Sequence, residues 1–152
     1  MRIVSRTTLT GTFVVLHLAL LSADNRPIDA AFQHYEVIRT GLAQDSMAPV
    51  PDAARALAPL AAEIAGDSAK RAADALVQAK DLNAAREQFG ALSEALVPKF
   101  LEAQVAGVTG FVCPMNQKRW VQRGTKPDNP YYGKAMAACG TALKPGKPAG
   151  GV

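Results

Sequence analysis

Residues 113–140 read CPMNQKRWVQRGTKPDNPYYGKAMAACG, and their composition differs from that of the rest of the chain. They contain both cysteines, the only tryptophan, two of the three tyrosines and two of the four methionines. The residues before them are rich in alanine and carry apolar side chains at helical spacing. Because 152 residues support one domain of ordinary size, we predict that this segment folds back on a helical scaffold.

Four stretches before residue 113 have the spacing of amphipathic helices, at about 26–43, 51–65, 69–79 and 82–105. Pro59 and Pro98 lie inside the second and fourth stretches, where we expect a kink, a restart or a break. Short connections favour antiparallel neighbours. The predicted fold class is therefore all-α, an up-down bundle of about four helices with the motif segment and a short last helix packed on it.

The N-terminus has the pattern of a secretory signal peptide over residues 1–23. Arg2 and Arg6 precede the apolar run 13–21, and Ser22-Ala23 supply small residues before a polar stretch. An apolar run of this length is too short for a bilayer core, which needs about 20 residues. We predict cleavage after Ala23, a periplasmic or secreted protein of residues 24–140 with no membrane attachment, and a disordered tail at 141–152.

Four sulfur atoms lie in two close pairs within the motif segment. The pairs are Cys113 with Met115, as C-x-M, and Met136 with Cys139, as M-x-x-C. Thiolate and thioether ligands select soft ions, Cu(I) above all. Pro114 favours an extended backbone that directs Cys113 and Met115 to one side, and a helical turn at 135–138 would put Met136 and Cys139 on one face. These four residues are the predicted metal ligands, for Cu(I) first and for Ag(I) as a second soft ion.

The alternative is a structural or protein-interaction domain in which Cys113 and Cys139 form a disulfide, since exported proteins keep their cysteines in an oxidising compartment. The disulfide would close a loop of about 27 residues and stabilise the fold by about 3.5 kcal/mol on the chain-entropy model. In that state no metal would bind. A thiol pair can also alternate between the two states, oxidising when the metal leaves. A role as a thiol redox partner is disfavoured because C-x-x-C is absent.

The other motif side chains have structural explanations beside functional ones. His34 is the one histidine outside the signal, and a packed or solvated role is more common for such a residue than metal ligation. Trp120 can stack over a soft cation or pack as a lid on the bundle. Asn129 is predicted to cap the last helix, and Tyr131 and Tyr132 to anchor the segment by ring burial.

The order of these residues resembles a known family. Cys113-Pro114-Met115, Trp120, the run NPYYG at 129–133, Met136 and Cys139-Gly140 are similar to the motif of small periplasmic domains of unknown function. Those domains stand alone or are fused to the C-terminus of adaptor subunits of copper/silver-type heavy-metal efflux pumps. The resemblance spans roughly residues 28–140, and the spacer around Trp120-Val121-Gln122 departs from the usual G-x-x-W-L-S.

The resemblance implies a helical domain that handles metal next to an efflux adaptor or another periplasmic metal carrier. The residues themselves argue against catalysis, because no Ser/His/Asp set, isolated carboxylate pair or phosphate-binding glycine loop is present. Without the signal the chain carries 15 basic and 13 acidic side chains, which is too even a balance to predict nucleic-acid binding. The predicted function is therefore soft-metal sequestration or transfer by a protein that is not an enzyme.

Overall fold

The computed structural model describes residues 26–144, which fold as four helices followed by a small sheet. The predicted signal peptide, 1–23, lies outside the described residues. In chain order the elements are α1 Pro27–Ala43, α2 Val50–Ala65, α3 Asp67–Val77, α4 Leu82–Glu102, β1 Val108–Val112, β2 Arg119–Arg123, a 3-10 turn Gly133–Met136 and β3 Thr141–Ala142.

The four predicted helices are confirmed, with ends shifted by a few residues. In α1, Pro27 occupies the first turn, where its missing N–H costs no hydrogen bond. The α1 side chains at helical spacing, Phe32, Tyr35, Ile38 and Leu42, are all fully buried. Asp81 caps α4, since its Oδ1 accepts a hydrogen bond from the backbone N–H of Ala84 at 2.8 Å.

Neither proline divides its helix: α2 continues through Pro59 and α4 through Pro98. A proline inside a helix leaves the carbonyl four residues earlier without its partner. Those carbonyls belong to Arg55 and Glu94, and both residues are exposed. Water can bond the freed oxygens there, so each helix continues as one element.

The predicted all-α fold class is wrong, because residues 108–142 contribute a three-stranded antiparallel sheet of order β2-β1-β3. In this sheet Phe111 lies opposite both Trp120 and Ala142. The strands VTGFV and RWVQR are rich in the β-branched and aromatic residues that fit a half-buried pleated surface. Thr141–Ala142 form β3 and are not part of a tail, whereas residues 145–152 of the predicted tail lie outside the described residues.

The core is a run of aromatic rings that joins the helices to the sheet. Tyr35 of α1 packs against Phe89 of α4 at 5.0 Å between ring centroids. Phe89 then contacts Tyr131 at 5.8 Å, and Tyr131 meets Trp120 of β2 edge to face at 6.1 Å. Trp120 stacks on Phe111 of β1 at 5.3 Å, so one continuous core holds the motif segment against α1 and α4.

Candidate metal centre

The two cysteines come from distant parts of the sequence and meet beside the sheet. Cys113 follows β1 directly and is fully buried, and Cys139 follows the 3-10 turn and is half-buried. Both are free thiols, and Cys113 lies near enough to act on the Cys139 thiol by its charge and as a hydrogen-bonding neighbour. The fold therefore makes a thiol pair from residues that lie 26 positions apart in the sequence.

The surroundings of the thiol pair favour the protonated form of Cys139. Burial raises the pKa of the Cys139 thiol above its ordinary value, and the charge and hydrogen bond of the neighbouring Cys113 raise it further. A thiolate is the form that binds metal or attacks a disulfide. Cys139 is thus a thiol at neutral pH, and an ion that binds there must displace its proton.

A tight turn separates Cys113 from Met115 and overturns the predicted extended Cys-Pro-Met segment. The backbone N–H of Cys113 donates to the Lys118 carbonyl at 2.9 Å, and the N–H of Gln117 donates to the Cys113 carbonyl at 2.8 Å. Gln117 adopts a positive φ of 59° to close the turn. Cys113 consequently points into the core, whereas Met115 is 63% exposed. Our prediction that the two sulfurs lie on the same side is therefore wrong.

Asn129 positions Cys139. Our prediction that it caps a helix is wrong. Its side-chain Nδ2 donates to the Cys139 carbonyl at 2.7 Å, and its Oδ1 accepts from the Tyr131 N–H at 2.8 Å. Its own backbone N–H donates to the Ala137 carbonyl at 2.8 Å. Asn129 is fully buried, so these bonds close the segment 129–139 into a loop that fixes the Cys139 backbone.

The predicted helical turn at 135–138 is replaced by the 3-10 turn Gly133–Met136. The N–H of Cys139 donates to the Met136 carbonyl at 2.9 Å, which brings these two residues onto one turn of the chain. Met136 is half-buried, in contrast to Met115. Of the two predicted thioether ligands, Met136 is therefore the one that shares its turn with a thiol.

An ion pair between α4 and the loop after α1 holds the start of this turn. Arg86 of α4 donates to the Pro130 carbonyl at 2.9 Å and to the Asp45 carboxylate at 2.5 Å. Asp45 also accepts from the Lys134 N–H at 3.2 Å, and Arg86 lowers the pKa of the Asp45 carboxyl. Gly133 sits directly against this pair with φ of 59°, and a Cβ there would lie 1.9 Å from Asp45 Oδ1. Only glycine fits at this position.

Trp120 packs in the core, which agrees with the structural explanation of this residue. Its side chain is fully buried, and its Nε1 donates to Gln122 Oε1 at 2.8 Å. A Cβ at Gly140 would lie 2.5 Å from Trp120 Cη2, so the backbone next to Cys139 packs directly on the indole. The predicted ring burial of Tyr131 is confirmed, since it is 7% exposed, and this burial raises its pKa well above the ordinary value.

Sequence reasoning missed Arg39, which is only 5% exposed. This side chain donates to the Asp128 carbonyl at 2.9 Å and to its carboxylate at 3.0 Å, and it also pairs with Glu36. Arg39 thereby holds Asp128, the residue before Asn129, against α1. A usable signal was present in the sequence, because Arg39 lies four residues after Tyr35 on the buried side of α1, where a charge needs a partner.

Hard or borderline metal sites are not built by the part of the chain that the structure describes. Within residues 26–144 no group of three or more His, Cys, Asp or Glu side chains could hold an ion, and His34 accordingly joins no such cluster. Two shallow surface depressions lie along α1–α2 and at the end of α4, and neither has a cysteine in its wall. The soft donors of the motif segment are the thiol pair and the thioethers of Met115 and Met136.

Comparison with known proteins adds no relative: no family model, curated protein or solved structure matches this chain. The resemblance of the motif to periplasmic domains of efflux systems stays a prediction. Between residues 26 and 144, no helix has the length and apolar character needed to cross a membrane.

Proposed function

We propose that the protein binds a soft monovalent ion, Cu(I) or Ag(I), through Cys113 and Cys139 in the periplasm. The observation that carries the proposal is the closeness of two free thiols, one buried and one half-buried, from opposite ends of the motif segment. Two thiolates are the ligands that Cu(I) and Ag(I) prefer over oxygen and nitrogen donors. The protein would sequester the ion or pass it to an efflux adaptor or another periplasmic carrier.

The ligand chemistry around the pair favours a soft ion over zinc. Structural zinc sites use four Cys or His ligands, whereas this centre has two thiols and the half-buried thioether of Met136, which shares a backbone turn with Cys139. Thioethers bind Cu(I) but are poor ligands for zinc. We therefore assign Cys113 and Cys139 as the principal ligands and Met136 as a weaker third ligand.

The raised pKa of Cys139 gives the proposal a pH dependence. Binding replaces the thiol proton with the ion, so each ion bound releases a proton from Cys139 to solvent. The apparent affinity for Cu(I) should increase as the pH rises toward the pKa of this thiol. A site made only of thioethers would bind equally well across that range, because a thioether carries no proton.

A Cys113–Cys139 disulfide with no metal role is the second candidate, and the same closeness of the two thiols favours it. Thiols that already lie near each other can join with less movement of the backbone than distant ones. The raised pKa of Cys139 also means that the fold does not stabilise its thiolate, a property of pairs whose disulfide resists reduction. In this case the bond would fasten the end of β1 to the turn after Met136.

Anaerobic titration of the reduced protein with Cu(I) tests the proposal. We expect about one ion per chain and near loss of binding in Cys113→Ser and in Cys139→Ser, since thiolate is the strongest ligand present. Met136→Leu should lower the affinity without unfolding the protein, because such a swap costs under about 1.5 kcal/mol. Met47→Leu, a partly buried methionine packed elsewhere on the core, is the matched control and should bind as the parent does.

Protein isolated from periplasm without reductant separates the two candidates. Intact mass measured with and without alkylation reports whether the thiols are free, metal-bound or joined. Joined cysteines, together with a reduced protein that ignores stoichiometric Cu(I), would establish the disulfide in place of the metal site. N-terminal sequencing of the same material should find a chain that begins near Asp24, and an intact Met1 would contradict signal cleavage.

A further inference from the structure

Met115 is the most exposed large apolar side chain in residues 26–144. It is 63% exposed, against 45% for Val37 and 38% for Leu101. It stands at the tip of the β1–β2 hairpin, where polar residues are the usual choice because the side chain gains nothing from burial. Neither packing nor turn chemistry requires a thioether at this position.

The hairpin tip holds Met115 outward by a fixed set of hydrogen bonds. Besides the two backbone bonds that join Cys113 to Gln117 and Lys118, Gln117 Nε2 donates to the Pro114 carbonyl at 2.9 Å. The N–H of Lys118 donates to Asn116 Oδ1 at 3.0 Å. These bonds span both sides of Met115, so its exposure follows from a closed turn and not from a loose loop.

Met115 and the two cysteines of the pair differ in their accessibility to solvent. Met115 is exposed, Cys139 is half-buried and Cys113 is fully buried. Met115 follows Cys113 by two residues, so their Cα atoms are within about 7 Å of each other. An ion that arrives from solvent can reach the thioether directly, whereas the Cys113 thiol is accessible only through its neighbours.

We propose that Met115 is a capture ligand, which takes up incoming Cu(I) and passes it to the Cys139–Cys113 pair. This inference rests on the proposed metal function and adds the route by which the ion arrives. The transfer is a ligand exchange: a bond from copper to the Met115 thioether breaks, and bonds to the two sulfurs of the pair form. The thiol protons leave to water, and copper stays in the +1 state.

The exchange runs in this direction because of the relative strength of the ligands. A thioether is neutral and binds Cu(I) more weakly than a thiolate does. A weak, exposed donor can bind and release the ion quickly, and the buried pair then retains it. Met115 should therefore govern the rate of loading, whereas the pair and Met136 govern the affinity at equilibrium.

Rapid-mixing kinetics test the capture role, with Cu(I) supplied as its coloured bicinchoninate complex and loading followed by the loss of that colour. Met115→Leu preserves size and apolarity but removes the sulfur. We expect it to load several-fold more slowly than the parent and to reach the same equilibrium affinity. Met136→Leu should show the opposite pattern, a reduced affinity, and Met47→Leu should match the parent in both measurements.

Met115→His supplies a rescue, since imidazole also binds copper, and it should restore fast loading. An unchanged loading rate in Met115→Leu would overturn the capture role while leaving the metal site intact. A fall in affinity as large as that of Met136→Leu would also overturn it, because Met115 would then be an equilibrium ligand. A parent protein that takes no Cu(I) from the complex or in direct titration would overturn both proposals.

Discussion

The helices and the motif segment are held in place by different kinds of contact. The helices of residues 27–102 rely on many interchangeable apolar side chains, such as Leu57, Leu76 and Leu92, that are fully buried. The segment 108–142 relies on single polar contacts, such as those of Asn129 and Arg86, each with one suitable partner. The segment therefore has the appearance of a sequence motif for a structural reason: its key side chains each make a specific contact that few other residue types could make. This holds before any function is considered.

Charge also divides the two regions. Residues 26–103 carry eleven acidic and eight basic side chains, whereas residues 104–144 carry one acidic and six basic. Lys118 pairs with Glu87 at 2.5 Å and Arg119 pairs with Glu94, so opposite charges meet where the sheet lies on α4. Both glutamates are largely exposed, and such pairs add little stability. The buried Arg39 contributes more to joining the regions.

The largest expected effect comes from breaking the junction between the two regions. Phe89 is fully buried and contacts Tyr35 of the helices and Tyr131 of the segment. Phe89→Ala should lower the free energy of unfolding by about 3–5 kcal/mol. Urea denaturation should be followed by circular dichroism for the helices and by fluorescence of Trp120, the only tryptophan, for the segment.

Both signals should shift together if one core joins the regions. Val37→Ala is the control, because Val37 is 45% exposed and its loss should leave both transitions near those of the parent. A shift of the fluorescence transition alone would mean that the segment unfolds independently of the helices.

A smaller effect should distinguish two glycines of the segment. Gly133 and Gly124 both have positive φ, of 59° and 85°, so alanine at either position costs about 1–2 kcal/mol in backbone strain. A Cβ at Gly124 meets nothing within 4 Å, whereas one at Gly133 collides with Asp45 and Arg86. Gly133→Ala should therefore destabilise the protein more than Gly124→Ala in urea denaturation. Equal losses would show that the Asp45–Arg86 pair does not hold the turn.

The same contrast explains what the sequence could predict. Helices follow from periodicity, and the apolar spacing of the four stretches before residue 113 was sufficient to place them. The sheet escaped because β1 and β2 have five residues each, β1 contains Gly110, and their pairing depends on a turn closed by Gln117 at positive φ. That turn also decides which way Met115 points, and no spacing rule in the sequence encodes it.

The sulfur residues were found from the sequence, but their arrangement was not. The fold brings Cys113 and Cys139 together through Asn129 and Gly140, whose roles appear only when the loop is closed. The prediction of four ligands around one ion treated sequence neighbours as spatial neighbours. Met136 keeps its place beside Cys139 because one backbone turn joins them, whereas Met115 is separated from Cys113 by a reversal of the chain.

The next effect in size is expected at Asn129. Asn129→Asp keeps an acceptor for the Tyr131 N–H but loses the donor to the Cys139 carbonyl, which should cost about 1–3 kcal/mol at neutral pH. It should also lower Cu(I) affinity, since Cys139 is displaced. Protonation of the new carboxyl restores a donor, so the difference in stability from the parent should shrink as the pH falls.

Asn83→Asp, an exposed substitution on α4, provides the charge-matched control and should match the parent in stability and Cu(I) affinity. An Asn129→Asp protein that binds Cu(I) as tightly as the parent would separate the loop from the metal centre.

The smallest expected effect is the pH dependence of the thiol pair in the reduced, metal-free protein. The pKa of Cys139 is raised from its ordinary 9.0 by burial, by the Cys113 charge and by the hydrogen bond between them. Above about pH 9 the unfolded chain loses this proton while the folded chain keeps it, so stability falls as the pH rises through that window. Tyr35 and Tyr131 also have raised pKa values and act in the same direction at higher pH.

Subtracting the unfolding free energy of Cys139→Ser, which retains both tyrosines, leaves the contribution of the thiol. In the reduced protein, we expect this difference in unfolding free energy to favour the parent less as the pH increases from about 8 to about 10. When the parent is oxidised, the difference should no longer depend on pH. A difference that stays constant in the reduced protein would mean that neither burial nor the nearby Cys113 raises the pKa of Cys139, which would contradict the closeness of the two thiols on which both the metal site and the disulfide depend.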